Sequence, residues 1–401
     1  MLPPYQYVQT DLAEKAVGSY VDRFGGYVPM ELVVEGAFEL IRDESKAGSC
    51  LWITNRRGLE YWPTPGEEAK YLLRSSKTRK KSLITVPMDL QIPHSFEKVV
   101  VHTLSHNFRS ATRIVRTELR LPLKADHVLL KVIYAGVNAS DVNFSSGRYF
   151  SGNGKDITSL LPLDSGFEAV GIIAAIGDAV RNLKIGMPAA IMTFGGYAEF
   201  VMVPSKHILP VAKPDPEVLA MLTSGLTASI ALEKAAQMES GKVVLVTAAA
   251  GATGQFAVQL AKLAGNTVIA TCGGYVKAKL LKDLGVDRVI DYKVEDIKAV
   301  LKKEFPKGTD IVYESVGGEM FDICLNALAV YGRLVVIGMI SQAGFFLIQY
   351  AHLWQEHLDR LVNLFSSGKL KIGIDPKQFV GLHSVADAVE YLHSGKSAGK
   401  V

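Results

Sequence analysis

The chain has 401 residues, 48% of them hydrophobic, which is enough for two domains with cores of their own. Its formal net charge of +4 is spread thinly over that length and argues against a nucleic-acid or acidic-membrane partner. Three scattered cysteines, Cys50, Cys272 and Cys324, form no C-x-x-C pair, which suggests a reducing compartment and excludes a structural zinc lobe.

The N-terminus has no basic region followed by an apolar core, so it does not read as a secretory signal. No run of about 18 apolar residues occurs, so no transmembrane helix is expected. The ending SAGKV is not a peroxisomal tripeptide. An intracellular chain is the default expectation, cytoplasmic first, with mitochondrial or peroxisomal placement left open.

Within residues 1–66, Pro29 to Arg42 reads as an amphipathic helix and Ser49 to Thr54 as a short strand. Pro4 to Thr10 (PYQYVQT) is similar to the P-x-x-V-x-T stretch that follows the catalytic pair of short-chain dehydrogenases/reductases. The segment therefore resembles a C-terminal remnant of that family. Neither its nucleotide-binding start nor its Tyr-x-x-x-Lys pair has a counterpart, so the segment is not expected to carry that chemistry. Residues 67–95 read as a polar, basic linker. Its charges at Arg74, Lys77, Arg79, Lys80 and Lys81 lack the interleaved aromatics of a single-stranded nucleic-acid site.

From Phe96 the texture changes to short apolar alternations: FEKVVVHTL, HVLLKVIYAGVN, EAVGIIAAIG, AAIMTF and GYAEFVMVP, separated by turn residues. Such spacing predicts a compact β-rich domain over 96–215. A helical pattern follows near Pro214, in PEVLAMLTSGLTASIALEKAA. Beyond Gly241, strands at Val243–Thr247, Thr267–Thr271, Arg288–Ile290, Asp310–Glu314 and Arg333–Ile337 alternate with helices at Phe256–Ala264, Tyr275–Leu284, Val294–Glu304 and Met320–Leu328. That alternation predicts an α/β, doubly wound parallel sheet over 216–368, with ligand at the carboxyl ends of its strands. Residues 369–401 are expected to return to the β-rich domain, with its closing strand cut short.

The stretch KVVLVTAAAGATGQFAVQ, residues 242–259, holds the dinucleotide turn. Ala249, Gly251 and Gly254 stand at the three glycine positions of G-x-G-x-x-G, and Ala252 and Thr253 lie between the last two. Alone this is a weak signal. With GVNASDVN (136–143), GFEAVG (166–171), GGYAEF (195–200), TSGLTA (223–228) and VYESVGGEMFD, the chain from about 96 onward resembles the medium-chain dehydrogenase/reductase superfamily. It is most similar to the zinc-independent quinone oxidoreductase-like branch and its 15-oxoprostaglandin reductase subgroup. The resemblance implies a GroES-like catalytic domain and a Rossmann domain.

Zinc-dependent members of that superfamily place a Cys and a His where this chain has Asn138 and Phe167, neither a serviceable zinc ligand. Glu168 alone reads as structural, and no metal is expected. Without a Lewis acid to stabilise an alkoxide, reduction of an activated C=C remains feasible. The resemblance places Asn138 beside the nicotinamide and substrate, with Tyr149 as a hydrogen-bond donor in the pocket and Tyr197 as a weaker candidate. It carries Thr227 and Gly338 over as cofactor contacts. After the second sheet strand, Cys272-Gly273-Gly274 offers no acid for an NAD ribose. Lys277 and Tyr292 match family residues at the 2′-phosphate, so NADPH is the expected cofactor.

Two departures stand out: Ser341-Gln342 runs directly into Ala343-Gly344-Phe345-Phe346 where the family has a longer loop, and the closing strand stops at Val401. The expected function is NADPH-dependent, zinc-independent reduction of a small hydrophobic α,β-unsaturated carbonyl by direct hydride transfer. NADPH:quinone reduction stays open, as does a catalytically impaired NADPH-binding protein. A homodimer is compatible with the sequence, and no nucleic-acid or membrane partner is expected.

Overall fold

The structure, a computed structural model, describes residues 50–54, 58–62, 92–150, 157–338 and 345–401. Two compact units divide the chain, residues 1–85 and 86–401. In the first, β1 (Cys50–Thr54) pairs antiparallel with β2 (Gly58–Trp62). The expected helix at Pro29–Arg42, the stretch Pro4–Thr10 and residues 67–91 of the linker lie outside the described residues.

The second unit opens with the β-rich domain. β3 (Ser95–Val101) pairs antiparallel with β4 (Thr112–Glu118) and with the short β6 (Leu163–Asp164). A five-stranded antiparallel sheet combines β5 (His127–Ala135), β7 (Glu168–Ile176), β8 (Pro188–Met192), β9 (Phe200–Pro204) and β10 (Ile208–Pro210) in the order β10-β8-β7-β5-β9. Its inner face, with Val128, Leu130, Ala169, Ile173, Ile191 and Val203, is a core of its own. Short helices α1 (Phe108–Ala111) and α2 (Ser140–Ser145) cover one end. The strand at Thr112–Glu118 was not among the sequence expectations. Arg113, Arg116 and Glu118 break its apolar run, and its pairing with β3 is what makes it a strand.

A single helix, α3 (Pro216–Ala235), leads out of this domain. It is long and apolar enough to span a membrane by length and composition, contrary to the expectation from unbroken apolar runs. Its apolar residues Leu219, Met221, Leu222, Leu226, Ile230 and Leu232 are nevertheless buried in the largest core, where they pack like a central helix of a folded domain. Two of its turns, Met221–Leu226 and Ala231–Ala235, widen to π geometry.

The parallel sheet contains β11 (Val243–Val246), β12 (Thr267–Cys272), β13 (Arg288–Asp291), β14 (Thr309–Glu314) and β15 (Leu328–Val336) in the order β13-β12-β11-β14-β15. Every neighbouring pair in it is parallel. Helices α4 (Ala252–Leu263), α5 (Tyr275–Asp283), α6 (Ile297–Glu304) and α7 (Glu319–Asn326) connect the strands. Burial on both faces explains the uninterrupted apolar spelling: Val244, Leu245 and Val246 are all fully buried. One face packs on α3 and α4, the other on α6 and α7. The strand order reverses between β11 and β14, which sets the ligand crevice at their carboxyl ends.

Helix α8 (Trp354–Ser366) packs on α3 through Leu358 and Leu361, and α9 (Val385–His393) returns to the β-rich domain against Val99, Phe108 and Tyr197. The shortened stretch after Gly338 falls on residues 339–344, outside the described ones.

Candidate active site

The dinucleotide turn is built at the end of β11. Gly251 precedes the first turn of α4 with no side chain capping it, so the helix N-terminus keeps backbone N–H groups for an anion. A Cβ on Gly254 would lie 2.6 Å from the Ala249 Cα and 2.7 Å from the Ala248 and Ala249 carbonyl oxygens. This close approach is what the third glycine of the fingerprint provides. Ala249 tolerates the first position because its amide donates to the Thr271 carbonyl at 3.0 Å, a sheet-like pairing that needs no left-handed backbone. The left-handed residue is its neighbour Ala248, at φ 45°. Ala252 and Thr253 form the first turn of α4, and Thr227 is buried on α3 in the packing against α4. These features fit a dinucleotide phosphate group.

At the end of β12 lies a basic corner. The Tyr292 hydroxyl reaches over Gly273, where an added Cβ would come within 2.5 Å of it. Lys277 donates to the Gly395 carbonyl at 2.7 Å. Burial, with the nearby charge of Lys293 adding to it, holds its ammonium below the usual lysine range. Asp291 accepts the Gly274 amide at 2.7 Å and the Lys293 amide at 3.1 Å, so the carboxylate in this corner is spent on shaping the turn. Gly338 stands open at the end of β15, its nearest neighbour for an added Cβ being the Ser315 carbonyl at 3.6 Å.

The third cluster joins the two domains. Asn138, 9% exposed, has both ends of its carboxamide engaged. Its Nδ2 donates to Glu168 Oε1 at 2.9 Å, and its Oδ1 accepts from Lys400 Nζ at 2.7 Å. Lys400 also donates to Glu168 Oε1 at 2.5 Å and to the Val137 carbonyl at 3.1 Å. The second oxygen of Glu168 accepts the Thr223 amide at 2.8 Å, from the first widened turn of α3. Asp141 accepts from the Asn138 amide at 2.9 Å and from the Tyr197 hydroxyl at 2.6 Å. Burial raises its carboxyl to about 6 against the pull of those two donors. Burial likewise pushes the Tyr197 phenol well above its ordinary value. Tyr197, 1% exposed, is a packed aromatic in the core.

Tyr149 is 40% exposed, its ring edge-on to Phe346 at 5.9 Å. Burial of the hydroxyl end raises its phenol, opposed by hydrogen bonds with Asn143 and Ser140 of α2. Nearby on the same helix, Phe144 stacks on Phe194 at 3.9 Å, and Phe194 meets Phe167 edge-on at 5.3 Å. Phe167 therefore contributes to an aromatic wall. The donor set at Asn138 and Glu168 does not fit a metal ion, since a buried ammonium already holds both side chains. Among the described residues no group of three or more His, Cys, Asp or Glu converges. Reading the sequence missed Lys400, Thr223 and Asp141. The first two meet Glu168 from 232 and 55 residues away, a separation that leaves no local signal.

A parallel sheet with a dinucleotide turn, joined to a β-rich domain by the Asn138, Glu168 and Lys400 cluster, defines a two-domain, dinucleotide-dependent oxidoreductase. Comparisons with known proteins agree. Residues 124–215 match the alcohol dehydrogenase GroES-like domain and residues 252–363 the zinc-binding dehydrogenase domain. Prostaglandin reductase-3 of Mus musculus is 41% identical over 344 residues, covering 77% of this chain and 89% of that protein. A quinone oxidoreductase structure from Pseudomonas syringae pv. Tomato DC3000 is similar with a TM-score of 0.66 and 28% identity, over 76% of this chain and 98% of that one. A mycobacterial protein complexed with NADPH gives a TM-score of 0.64 and 26% identity, over 76% and 98%. The chain belongs to the medium-chain dehydrogenase/reductase superfamily, in its quinone oxidoreductase-like branch, whose members bind a nicotinamide dinucleotide.

Proposed function

We propose that this chain reduces the C=C bond of a small hydrophobic α,β-unsaturated carbonyl with NADPH, without a metal. The observation that carries the reading is the Lys400 ammonium held between Asn138 and Glu168. It removes the site for a Lewis acid, which alcohol oxidation in the zinc-dependent members needs. The dinucleotide, when bound, supplies a hydride for the β-carbon of the enone.

The chain's own residues do the rest. The amides at the start of α4 and the turn Ala249 to Gly254 would hold the pyrophosphate, with Thr227 and Gly338 flanking the nucleotide. Lys277, with Lys293 near it and the Asp291 carboxylate engaged by the Gly274 and Lys293 amides, favours the extra phosphate of NADPH over NADH. Asn138 cannot turn a polar atom outward without breaking its contacts to Lys400 and Glu168, so it offers a fixed amide face to a bound ring. Tyr149 carries its phenolic proton at neutral pH as any tyrosine does, burial raising it further, and is the donor for the oxygen on which enolate charge develops. Phe167 and Phe194 exclude water from one side and accept an apolar substrate.

Flat aromatic surfaces suit a quinone as well, and the similar Pseudomonas structure carries that name, so NADPH:quinone reduction is the second reading. Following NADPH absorbance with an enone, a quinone and an alcohol, with and without chelator, separates these cases. Enone-dependent oxidation of NADPH indifferent to chelator is the expected result. Faster turnover of the quinone favours the second reading. Alcohol oxidation abolished by chelator overturns both, and NADPH binding with no turnover of any acceptor marks an impaired protein.

A further inference from the structure

We infer that Lys400 is a positioning residue, whose buried ammonium fixes the orientation of the Asn138 carboxamide and ties that residue to the dinucleotide turn. The inference rests on the proposed reaction for what Asn138 does, but its structural content is independent of it.

Lys400 is 2% exposed, and all three of its ammonium donors are used: on Glu168 Oε1, on Asn138 Oδ1 and on the Val137 carbonyl. An ammonium only donates and a carboxylate only accepts. Asn138 must therefore present its oxygen to Lys400 and its nitrogen to Glu168, so the two charges together leave one orientation of the amide. The backbone around Lys400 is held as firmly. Its amide donates to the Gly373 carbonyl and its carbonyl accepts the Asp375 amide, both at 2.8 Å. One residue earlier, the Gly399 amide donates to the Ala250 carbonyl at 3.1 Å, inside the dinucleotide turn. One residue later, the Val401 carbonyl accepts the Val137 amide at 2.9 Å. Gly399 is required there, with φ of 100° and a would-be Cβ only 2.4 Å from the Gly373 carbonyl oxygen.

The strip Gly399–Val401 thus touches the dinucleotide turn at one end and the Val137–Asn138 backbone at the other, with the ammonium between. Glu168 adds α3 through Thr223. A buried ion pair is a poor stability device, because desolvation offsets its attraction and apolar residues of similar volume serve as well. What such a pair supplies that an apolar pair cannot is direction.

The test compares Lys400→Met, the uncharged pair Lys400→Met/Glu168→Gln, Asn138→Ala, and Asn138→Ala/Lys400→Met. Two quantities are read. The first is the Asn138 side-chain amide resonance in protein labelled with nitrogen-15 asparagine, assigned by its loss in Asn138→Ala. The second is kcat with an enone. In both variants that retain Asn138 and lack Lys400, the resonance should shift and exchange with water faster. Their kcat should fall about 10- to 100-fold, with KM for NADPH little changed, the usual scale when a hydrogen-bonding partner behind a site residue is lost. In the Asn138→Ala background, Lys400→Met should lower kcat no further, because the two act as a unit. If Lys400→Met alone fails to fold, the uncharged pair keeps the comparison. An unchanged Asn138 resonance, or independent losses that multiply in the double variant, overturns the inference. If the wild-type chain turns over no acceptor, the proposed reaction fails, while the resonance still decides the role of Lys400.

Discussion

Substituting Gly254 and Gly251 with alanine in turn should separate two jobs that one motif performs. At Gly254 the new methyl would lie within 2.7 Å of three backbone atoms of Ala248 and Ala249, none of which can rotate away. Restoring an ordinary contact requires helix and turn to part by roughly 0.8 Å, and overpacking on that scale costs about 3 kcal/mol at the upper end. Alanine returns about 1 kcal/mol of that through its helix propensity, leaving a net loss of about 2 kcal/mol. At Gly251 the backbone has φ of −73° and ψ of 170°, which any residue adopts. The new methyl meets only the Ala248 carbonyl oxygen, at 3.2 Å. The fold should therefore change by about 0.5 kcal/mol or less, as for substitutions that break no special contact. That methyl nevertheless stands where the pyrophosphate must approach the backbone. Gly251→Ala should weaken NADPH binding tenfold or more, which is about 1.4 kcal/mol. Urea unfolding measures the first quantity and quenching of tryptophan fluorescence by NADPH the second. A Gly251→Ala protein that binds normally but unfolds easily refutes this division, as does a Gly254→Ala protein as stable as the wild type.

Lys277→Ala should weaken NADPH binding about 10- to 100-fold, as expected for one charge-assisted contact to phosphate, and leave NADH binding unchanged; titration of both cofactors checks it. Asp141 has a folded pKa of about 6, above its unfolded value, so its contribution to stability is fully present below about pH 4 and is lost as pH rises toward 6. Asp141→Asn should remove a pH dependence on the order of 3 kcal/mol across that window, read from urea melts of both proteins. Ser229 shares a hydrogen bond of 2.7 Å with Nδ1 of His357, which is buried between α3 and α8. Ser229→Ala leaves that ring nitrogen without its partner and should cost about 1–2 kcal/mol in urea unfolding. Burial lowers the pKa of His357, so its stabilising contribution is present above its unfolded pKa and lost as pH falls through the folded one.

Most of the fold was legible because it rests on local periodicity. The parallel strands are apolar throughout because helices cover both faces, and Val243 to Val246 needs no partner to be read. Strand β4 was not legible, since alternating charges mask its apolar positions and its register with β3 alone makes it a strand. The same distinction divides the site. The dinucleotide turn lies within a few consecutive residues and was found from its spelling. Cys272 and Lys277, one strand later, were singled out by the same local reading, and the structure places them at the end of β12 and in the helix after it.

The expectation of no metal came from what Asn138 and Phe167 are, whereas the partner that satisfies the buried polar corner at Asn138 had no local signal. A carboxylate at Glu168, fully buried, demands a counter-charge. No basic residue stands near it in sequence, so nothing local pointed to its partner. The answer, Lys400, comes from the far end of the chain, carried there by backbone bonds at Gly399, Lys400 and Val401. A metal ion would have met the same demand for positive charge through several ligand side chains. The ammonium meets it through a covalent stem, and so makes the return of the chain across the dinucleotide turn part of the site itself. That is why removing Lys400 should release the Asn138 carboxamide, while the backbone bond from Gly399 to Ala250 keeps the turn in place.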